Sequence, residues 1–88
     1  MANNIYNFYS DPGHGWLRVK IAELRKLNLM DKISKYSYIN GASAYLEEDC
    51  DIPKFINAKT AINQKLIIKE HHSDSRSSIR SYSDFIPD

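Results

Sequence analysis

The dipeptide Asn40-Gly41 limits the folds open to this chain more than any other feature of its sequence. It stands between segments 36–39 and 43–47, whose tyrosines, isoleucine and leucine are typical of β-strands. Asn-Gly between two such segments favours a tight type I′ turn, because glycine accepts the positive φ that this turn requires. The sequence therefore predicts a β-hairpin centred on Asn40-Gly41.

Three further segments are predicted to be strands. Residues 5–9 are short and aromatic and stop at a turn-forming Asp-Pro-Gly, and residues 16–19 follow the glycine-rich loop that begins there. Residues 65–69 contain three adjacent apolar side chains. Such a run predicts a strand that is buried on both faces, in a central or covered position of the sheet.

Two helices are predicted from apolar residues at helical intervals. The first begins at Ile21 and ends at Asn28, because asparagine tolerates the left-handed conformation that ends many helices. The second is capped by Asp49 or Asp51, has Pro53 in its first turn and runs to about residue 63. The order of the elements predicts an α+β fold, with a mostly antiparallel sheet of four to five short strands and two helices on one face.

A chain of 88 residues is long enough to bury one hydrophobic core only. We expect a single α+β domain over residues 1–72, followed by a serine-rich C-terminal tail over residues 73–88. Ile79, Tyr82, Phe85 and Ile86 are too apolar for a fully solvated tail. Part of the tail is therefore expected to be ordered.

The single cysteine, Cys50, cannot form an internal disulfide, and the N-terminus has no charged and apolar pattern of the signal-peptide kind. No apolar run approaches the ~20 residues that cross a bilayer. We therefore expect a cytosolic protein that does not enter the membrane. The sequence leaves the oligomeric state open.

The formal net charge of +1 gives no basic excess of the kind that nucleic-acid-binding domains usually carry. The charges are nevertheless unevenly distributed. Residues 1–35 contain six Lys or Arg and three Asp or Glu, whereas residues 36–63 contain two and four. The basic first third and the acidic middle are therefore two candidate binding surfaces.

Two motifs are candidate binding sites. Residues 11–16, Asp-Pro-Gly-His-Gly-Trp, predict a rigid loop that ends in the only tryptophan of the chain. Residues 47–51 concentrate four carboxylates where a strand ends and a helix begins, which suits a cation site, a protein-facing acidic patch that mimics phosphates, or charges at a helix N-terminus. The acidic patch is the easiest of these to build, because strand alternation separates Glu47 from Glu48.

The sequence gives less support to catalytic and metal-binding interpretations. His14 could act as a base or a ligand, but no second ligand stands nearby at metal-type spacing. Cys50 is a poor thiolate, because its acidic neighbours raise the thiol pKa. His71 and His72 point to opposite faces of a strand and cannot share one metal ion. We therefore predict no catalytic residue, no metal site, no cofactor and no enzymatic activity.

A longer pattern resembles that of a family of small uncharacterised proteins of bacteriophages and mobile elements. It consists of residues 9–17 (Tyr-Ser-Asp-Pro-Gly-His-Gly-Trp-Leu), 33–38 (Ile-Ser-Lys-Tyr-Ser-Tyr) and 45–49 (Tyr-Leu-Glu-Glu-Asp). The resemblance covers roughly residues 5–58. It implies a phage or plasmid setting in the cytosol of a host cell. In that setting a small protein without a catalytic signature is often a counter-defence inhibitor, such as an anti-CRISPR protein.

The first hypothesis is a non-enzymatic inhibitor that binds a host protein or nucleoprotein defence complex, with the glycine-rich loop and the acidic patch against basic partner surface. Its predicted partner-binding residues are Asp11, His14, Trp16, Glu47, Glu48, Asp49 and Asp51.

Two alternatives belong to other classes of protein. One is a small nucleic-acid-binding regulator that uses the basic first third and stacks exposed tyrosines on bases. Its cations are Arg18, Lys20, Arg25, Lys26, Lys32 and Lys35. The other alternative is a small metal-dependent hydrolase centred on Asp11, His14 and the acidic run.

Overall fold

The computed structural model describes residues 4–86 and shows an α+β fold, as the sequence predicts. Its strands are β1 (Ile5–Ser10), β2 (Gly15–Lys20), β3 (Tyr38–Asn40), β4 (Ser43–Glu47), β5 (Ile67–His72) and β6 (Ser83–Asp84), and its helices are α1 (Ile21–Lys26) and α2 (Ile52–Ala61). The strands form one sheet in the order β5-β1-β2-β4-β3-β6. All neighbouring strands are antiparallel except β1 and β5, which are parallel. The sheet thus has six strands instead of the four to five expected.

Both helices pack on the same face of the sheet. Leu17 of β2 is paired directly with Leu46 of β4, and both are fully buried. They belong to one core cluster with Leu24 of α1 and Phe55 of α2. Burying each such side chain contributes about 1.5–3 kcal/mol, so this layer supplies much of the stability. We call the opposite side of the sheet the open face.

An ion pair joins the two helices at the edge of this core. The Nζ atom of Lys59 donates to Oε2 of Glu23 at 2.5 Å, and the hydroxyl of Tyr6 donates to the same carboxylate. Burial opposes the charge of the lysine, but the hydrogen bond to Glu23 keeps the pKa of Lys59 above its ordinary value. The lysine is therefore charged and paired although it is almost fully buried.

Each helix ends at an asparagine with positive φ, 58° at Asn28 and 59° at Asn63. After α1, the N–H of Asn28 donates to the Arg25 carbonyl and the N–H of Leu29 to the Leu24 carbonyl. The same pair of hydrogen bonds follows α2. This pattern is a Schellman motif, which satisfies the last carbonyls of a helix and needs a left-handed residue. The prediction that Asn28 ends the first helix is confirmed.

The hairpin predicted at Asn40-Gly41 is present, but its turn differs from the predicted type I′ turn. Asn40 pairs with Ser43, so the two turn residues are Gly41 and Ala42. Gly41 has a φ of +61°, whereas Ala42 is not among the described residues with positive φ. A glycine at the first of two turn positions is typical of a type II′ turn. Glycine is still required, but one position earlier in the turn than expected.

The prediction that residues 65–69 form a central, doubly covered strand is wrong. Strand β5 begins two residues later and pairs with β1 alone, at one edge of the sheet. All six of its residues are exposed, including Ile67 at 60%. Adjacent apolar residues in a sequence do not distinguish an edge strand from a central one. Of residues 65–69, only Leu66, just before β5, packs against the core.

The C-terminal segment crosses the open face, and we call residues 77–85 the strap. It contains a 3-10 helix, Ser78–Ser81, whose buried Ile79 packs with Trp16 and Tyr45 in a second cluster. It then adds β6 to the sheet, and Phe85 enters the main core. The apolar residues that interrupt the serines are thus the ones that dock the segment.

Candidate functional site

Asp11 lies at the centre of the loop between β1 and β2. Its Oδ1 atom accepts hydrogen bonds from the backbone N–H groups of Gly13 at 2.9 Å and His14 at 3.0 Å. Its Oδ2 atom accepts one from the backbone N–H of Ser77 at 2.9 Å. The Arg80 guanidinium makes a two-point contact, with Nε 2.6 Å from Oδ2 and Nη2 2.8 Å from Oδ1. Asp11 therefore joins the loop to the strap.

These contacts favour the charged form of Asp11. The Arg80 guanidinium, and next the Ser77 N–H, hold the pKa of this carboxyl far below its usual range. The same contact raises the pKa of Arg80. Because both oxygens are used within the chain and the residue is buried, Asp11 is a structural anchor.

The acidic run at residues 47–51 does not form an exposed patch. Glu47 is buried, and its Oε2 atom accepts hydrogen bonds from the backbone N–H groups of Asp49 at 3.0 Å and Cys50 at 2.8 Å. Glu48 is half-buried, and Asp49 is exposed. The Glu47 carboxylate thus shapes the turn that follows β4, because consecutive N–H groups in a turn are ready partners for it.

Asp51 is fully buried and turned away from the surface. It occupies the N-cap position of α2, but its side chain makes no capping hydrogen bond. It accepts hydrogen bonds from the hydroxyls of Ser34 and Ser37 and contacts Lys54 Nζ at 3.1 Å. Burial opposes its charge, yet the hydrogen bonds from Ser37 and Ser34 keep the pKa of Asp51 below its ordinary value. The expected exposed patch of four carboxylates is therefore corrected: two of the four are internal.

An open groove of about 710 Å³ lies on the open face beside the strap. We call it the acidic groove. Its lining contains three aromatic side chains, Trp16, Tyr36 and Tyr38, and the charged side chains Lys35, Glu47, Asp49, Arg80 and Asp84, with His14 and Cys50. Four predicted site residues, His14, Trp16, Glu47 and Asp49, thus meet in one groove. Asp11 lies beneath it as the partner of Arg80.

The aromatic walls of the acidic groove meet at a steep angle. The rings of Trp16 and Tyr38 have centroids 6.1 Å apart and planes inclined at 64°. Tyr36 is 61% exposed at the rim. The Arg80 guanidinium already lies over the Trp16 ring, with its central carbon 5.5 Å from the ring centroid. One ring of the groove therefore accepts a guanidinium group within the chain itself.

The charge of the groove is negative. Asp11 neutralises Arg80, which leaves Lys35 opposed by three carboxylates, those of Glu47, Asp49 and Asp84. Sequence reasoning missed Asp84 and Lys35 as members of this group. Residue 84 reaches the groove only because β6 pairs with β3, where Asp84 lies opposite Tyr38. The apolar residues of the tail were the one signal of this placement.

The cations of the basic first third do not form one surface. Arg18 and Lys20 alternate with the buried Leu17 and Val19 and lie on the open face of β2. The others lie on α1 or in the loop that follows it, and Lys35 lines the acidic groove. His71 and His72 lie on opposite faces of β5, as expected. His71 stacks on Tyr9 with ring centroids 5.0 Å apart.

Of the residues named for the hydrolase hypothesis, His14, Glu47 and Asp49 line the acidic groove, whereas Asp11 lies beneath it. Asp11 is saturated by internal hydrogen bonds, while the His14 ring lies 6.1 Å from the Trp16 ring. Desolvation of the thiol, and next the Glu47 carboxylate, raise the pKa of Cys50. Within residues 4–86, no group of three or more His, Cys, Asp or Glu side chains is arranged to hold a metal ion.

No helix in the described part of the chain has the length and apolar character needed to cross a membrane. Comparisons with protein-family models, with curated proteins and with solved structures gave no match to this chain.

Proposed function

We propose that the protein is a non-enzymatic binding module whose acidic groove receives a basic side chain of a partner protein. The observation that carries this proposal is that the exposed Tyr36 and the half-buried Tyr38 lie with two exposed carboxylates, Asp49 and Asp84, in one open groove. Aromatic faces attract cations, and each such contact contributes about 0.5–2 kcal/mol, depending on how well it is desolvated. Neighbouring carboxylates add a charge-assisted hydrogen bond.

Arginine suits this groove better than lysine. A planar guanidinium can stack on an aromatic ring and at the same time donate to a carboxylate, whereas an ammonium group is a compact, strongly hydrated charge. Arg80 over Trp16 provides an internal example of the first contact. Asp49 and Asp84 are exposed and can accept hydrogen bonds from a partner.

The resemblance to phage and mobile-element proteins suggests a role for this binding. We propose that the partner is a host defence complex that handles nucleic acid, because its phosphate-binding surfaces present arginine and lysine. A protein that occupies those side chains would inhibit the complex without catalysis. Association should then weaken as salt concentration rises.

Intrinsic fluorescence tests the groove directly, because Trp16 is the only tryptophan of the chain. The probe is a short arginine-rich peptide, and its control is the same peptide with glutamine in place of arginine. We expect only the arginine peptide to change the Trp16 emission. Tyr36→Ala should weaken its binding about five- to ten-fold through loss of one cation–π contact of about 1 kcal/mol.

A matched pair of charge variants completes the test. Asp49→Asn removes one carboxylate from the groove, whereas Asp31→Asn makes the same charge change at an exposed residue outside its lining. We expect Asp49→Asn to weaken the arginine peptide about three-fold and Asp31→Asn to leave it unchanged. Equal effects of the two variants, or equal binding of the glutamine peptide, would contradict the proposal.

A further inference from the structure

The open face has a second region on the other side of the strap, formed by strands β5, β1 and β2. Register places Lys69, Asn7 and Arg18 in one row across these strands. The next row begins with His71 and Tyr9. Lys20 extends the same face by two positions along β2. We call the region formed by Asn7, Tyr9, Arg18, Lys20, Lys69 and His71 the basic half.

The charge of the basic half is entirely positive. Arg18, Lys20 and Lys69 are all exposed. The nine positions of β5, β1 and β2 that face this side, residues 5, 7, 9, 16, 18, 20, 67, 69 and 71, include no carboxylate. Arg18 donates to the hydroxyl of Ser43 at 3.2 Å and has no acidic partner among the contacts of the described residues. The nearest carboxylate, that of Glu23, lines a groove with Arg18 and Lys20 and is paired with Lys59. A chain of phosphates that follows the nine positions therefore meets only positive or neutral side chains.

Aromatic rings lie among these cations. The rings of His71 and Tyr9 are nearly parallel, with an interplanar angle of 21°. The ring of Tyr45, which is paired with Arg18, lies 6.4 Å from that of Tyr9, and Tyr82 of the strap lies 5.1 Å from Tyr45. His71 is exposed and Tyr9 is half-buried. Rings placed beside exposed cations on an open sheet are the arrangement on which unpaired bases stack.

We propose that the basic half binds single-stranded nucleic acid. Phosphates contact Arg18, Lys20 and Lys69, and bases stack beside the rings of Tyr9 and His71. A single strand fits better than a duplex, because its bases are free to reach the rings while its backbone follows the cations. This site is independent of the acidic groove, so either proposal can fail without the other.

Fluorescence anisotropy with short labelled oligothymidylate and oligouridylate tests the site, with a duplex of matched length as competitor. At about 50 mM salt we expect both single strands to bind and the duplex to compete poorly. Three phosphate contacts predict a slope of about −2 in a plot of log K against log salt. Absence of binding at this salt concentration, or tighter binding of the duplex, would overturn the proposal.

Two variants with the same change of charge locate the site. Lys69→Glu alters the basic half, whereas Lys32→Glu alters an exposed lysine elsewhere on the chain. We expect Lys69→Glu to weaken binding at least about five-fold and to reduce the salt slope by about 0.7, and Lys32→Glu to change affinity less than about two-fold. Equal loss in both variants would show attraction by overall charge alone and would overturn the proposal.

A third variant tests stacking separately from charge. His71→Ala removes an exposed ring and leaves the three cations in place. We expect about ten-fold weaker binding with an unchanged salt slope, since stacking contributes to affinity without releasing counterions. Unchanged affinity would overturn the assignment of base stacking to this face.

Discussion

The acidic groove and the basic half lie on the same face of one sheet and differ mainly in charge. The basic half is built by strands alone and carries three exposed cations. The acidic groove needs the strap, which adds Asp84 and neutralises Asp11 with Arg80. Neither region can be recognised from the net charge of +1, because their charges largely cancel in the sum. The comparison shows how a chain with almost no net charge can carry two surfaces of opposite charge.

The strap is the boundary between the two regions, and Asp11 is the residue that holds it there. We expect Asp11→Ala to cause the largest loss of stability of the variants considered, because it leaves Arg80 and three backbone N–H groups without their acceptor. Thermal unfolding measures the loss, and amide hydrogen exchange of residues 77–85 shows whether the strap detaches.

The matched control for this prediction is Asp31→Ala, which removes an 81% exposed carboxylate. Surface changes of this kind usually alter stability by less than about 0.5 kcal/mol. If Asp11→Ala melted at the same temperature as this control, the strap would not depend on Asp11 and the boundary would need another explanation.

Gly15 is the first residue of β2 and directly precedes Trp16, which lines the acidic groove. A Cβ atom at this position would lie 2.2 Å from Cζ of Phe8, which packs against the core. We expect Gly15→Ala to destabilise the fold by about 2–3 kcal/mol through overpacking. Chemical denaturation measures this loss of stability. Combining Gly15→Ala with Phe8→Leu should recover part of the loss, because the smaller leucine leaves room for the added Cβ atom. No recovery in the double variant would mean that the Phe8 ring is not the cause.

Gly41 affects the hairpin that carries Tyr38 into the acidic groove. Its φ of +61° is unfavourable for a β-branched residue, although no atom lies within 4 Å of the added Cβ. We expect Gly41→Val to cost about 1–2 kcal/mol. Gly41→Asn is the control, because asparagine tolerates this conformation, and it should cost less than half as much. Equal costs would contradict the assignment of the cost to the positive φ.

The contact between Asp11 and Arg80 also predicts a dependence on pH. The folded pKa of Asp11 lies below its unfolded value of about 3.9, so its contribution to stability is complete above that pH and declines as the pH falls below it. The stability difference between the wild-type chain and Asp11→Asn should therefore shrink from pH 6 to pH 3, as measured by denaturant midpoints. A constant difference would mean that the charge of Asp11 contributes nothing.

The sequence predicts local structure well where the cause is local. The helix end at Asn28, the hairpin near Gly41 and the two helices follow from backbone preference and periodicity at neighbouring positions. The edge position of β5 does not follow from local pattern. Ile67 and Ile68 are both exposed, yet two adjacent isoleucines are equally typical of a central strand.

The candidate site is harder to predict because its contacts are distant in the chain. Asp11 and Arg80 are 69 positions apart, so their contact cannot be predicted from the residues that neighbour either of them in the sequence. In the acidic run, composition indicates four surface charges, but Glu47 bends back to backbone N–H groups and Asp51 turns inward to Ser34 and Ser37. Sequence identifies the residue types near the groove, whereas packing decides which of them are exposed.

The central claim is that the strap divides the open face into two binding regions of opposite charge. Backbone amide shifts in an NMR titration test it most directly, with the arginine peptide and the oligothymidylate added to separate samples. The account predicts that the peptide shifts residues of the acidic groove, such as Tyr36 and Asp49, and that the oligonucleotide shifts residues of the basic half, such as Arg18 and Lys69. One shared set of shifted residues for both probes would contradict it.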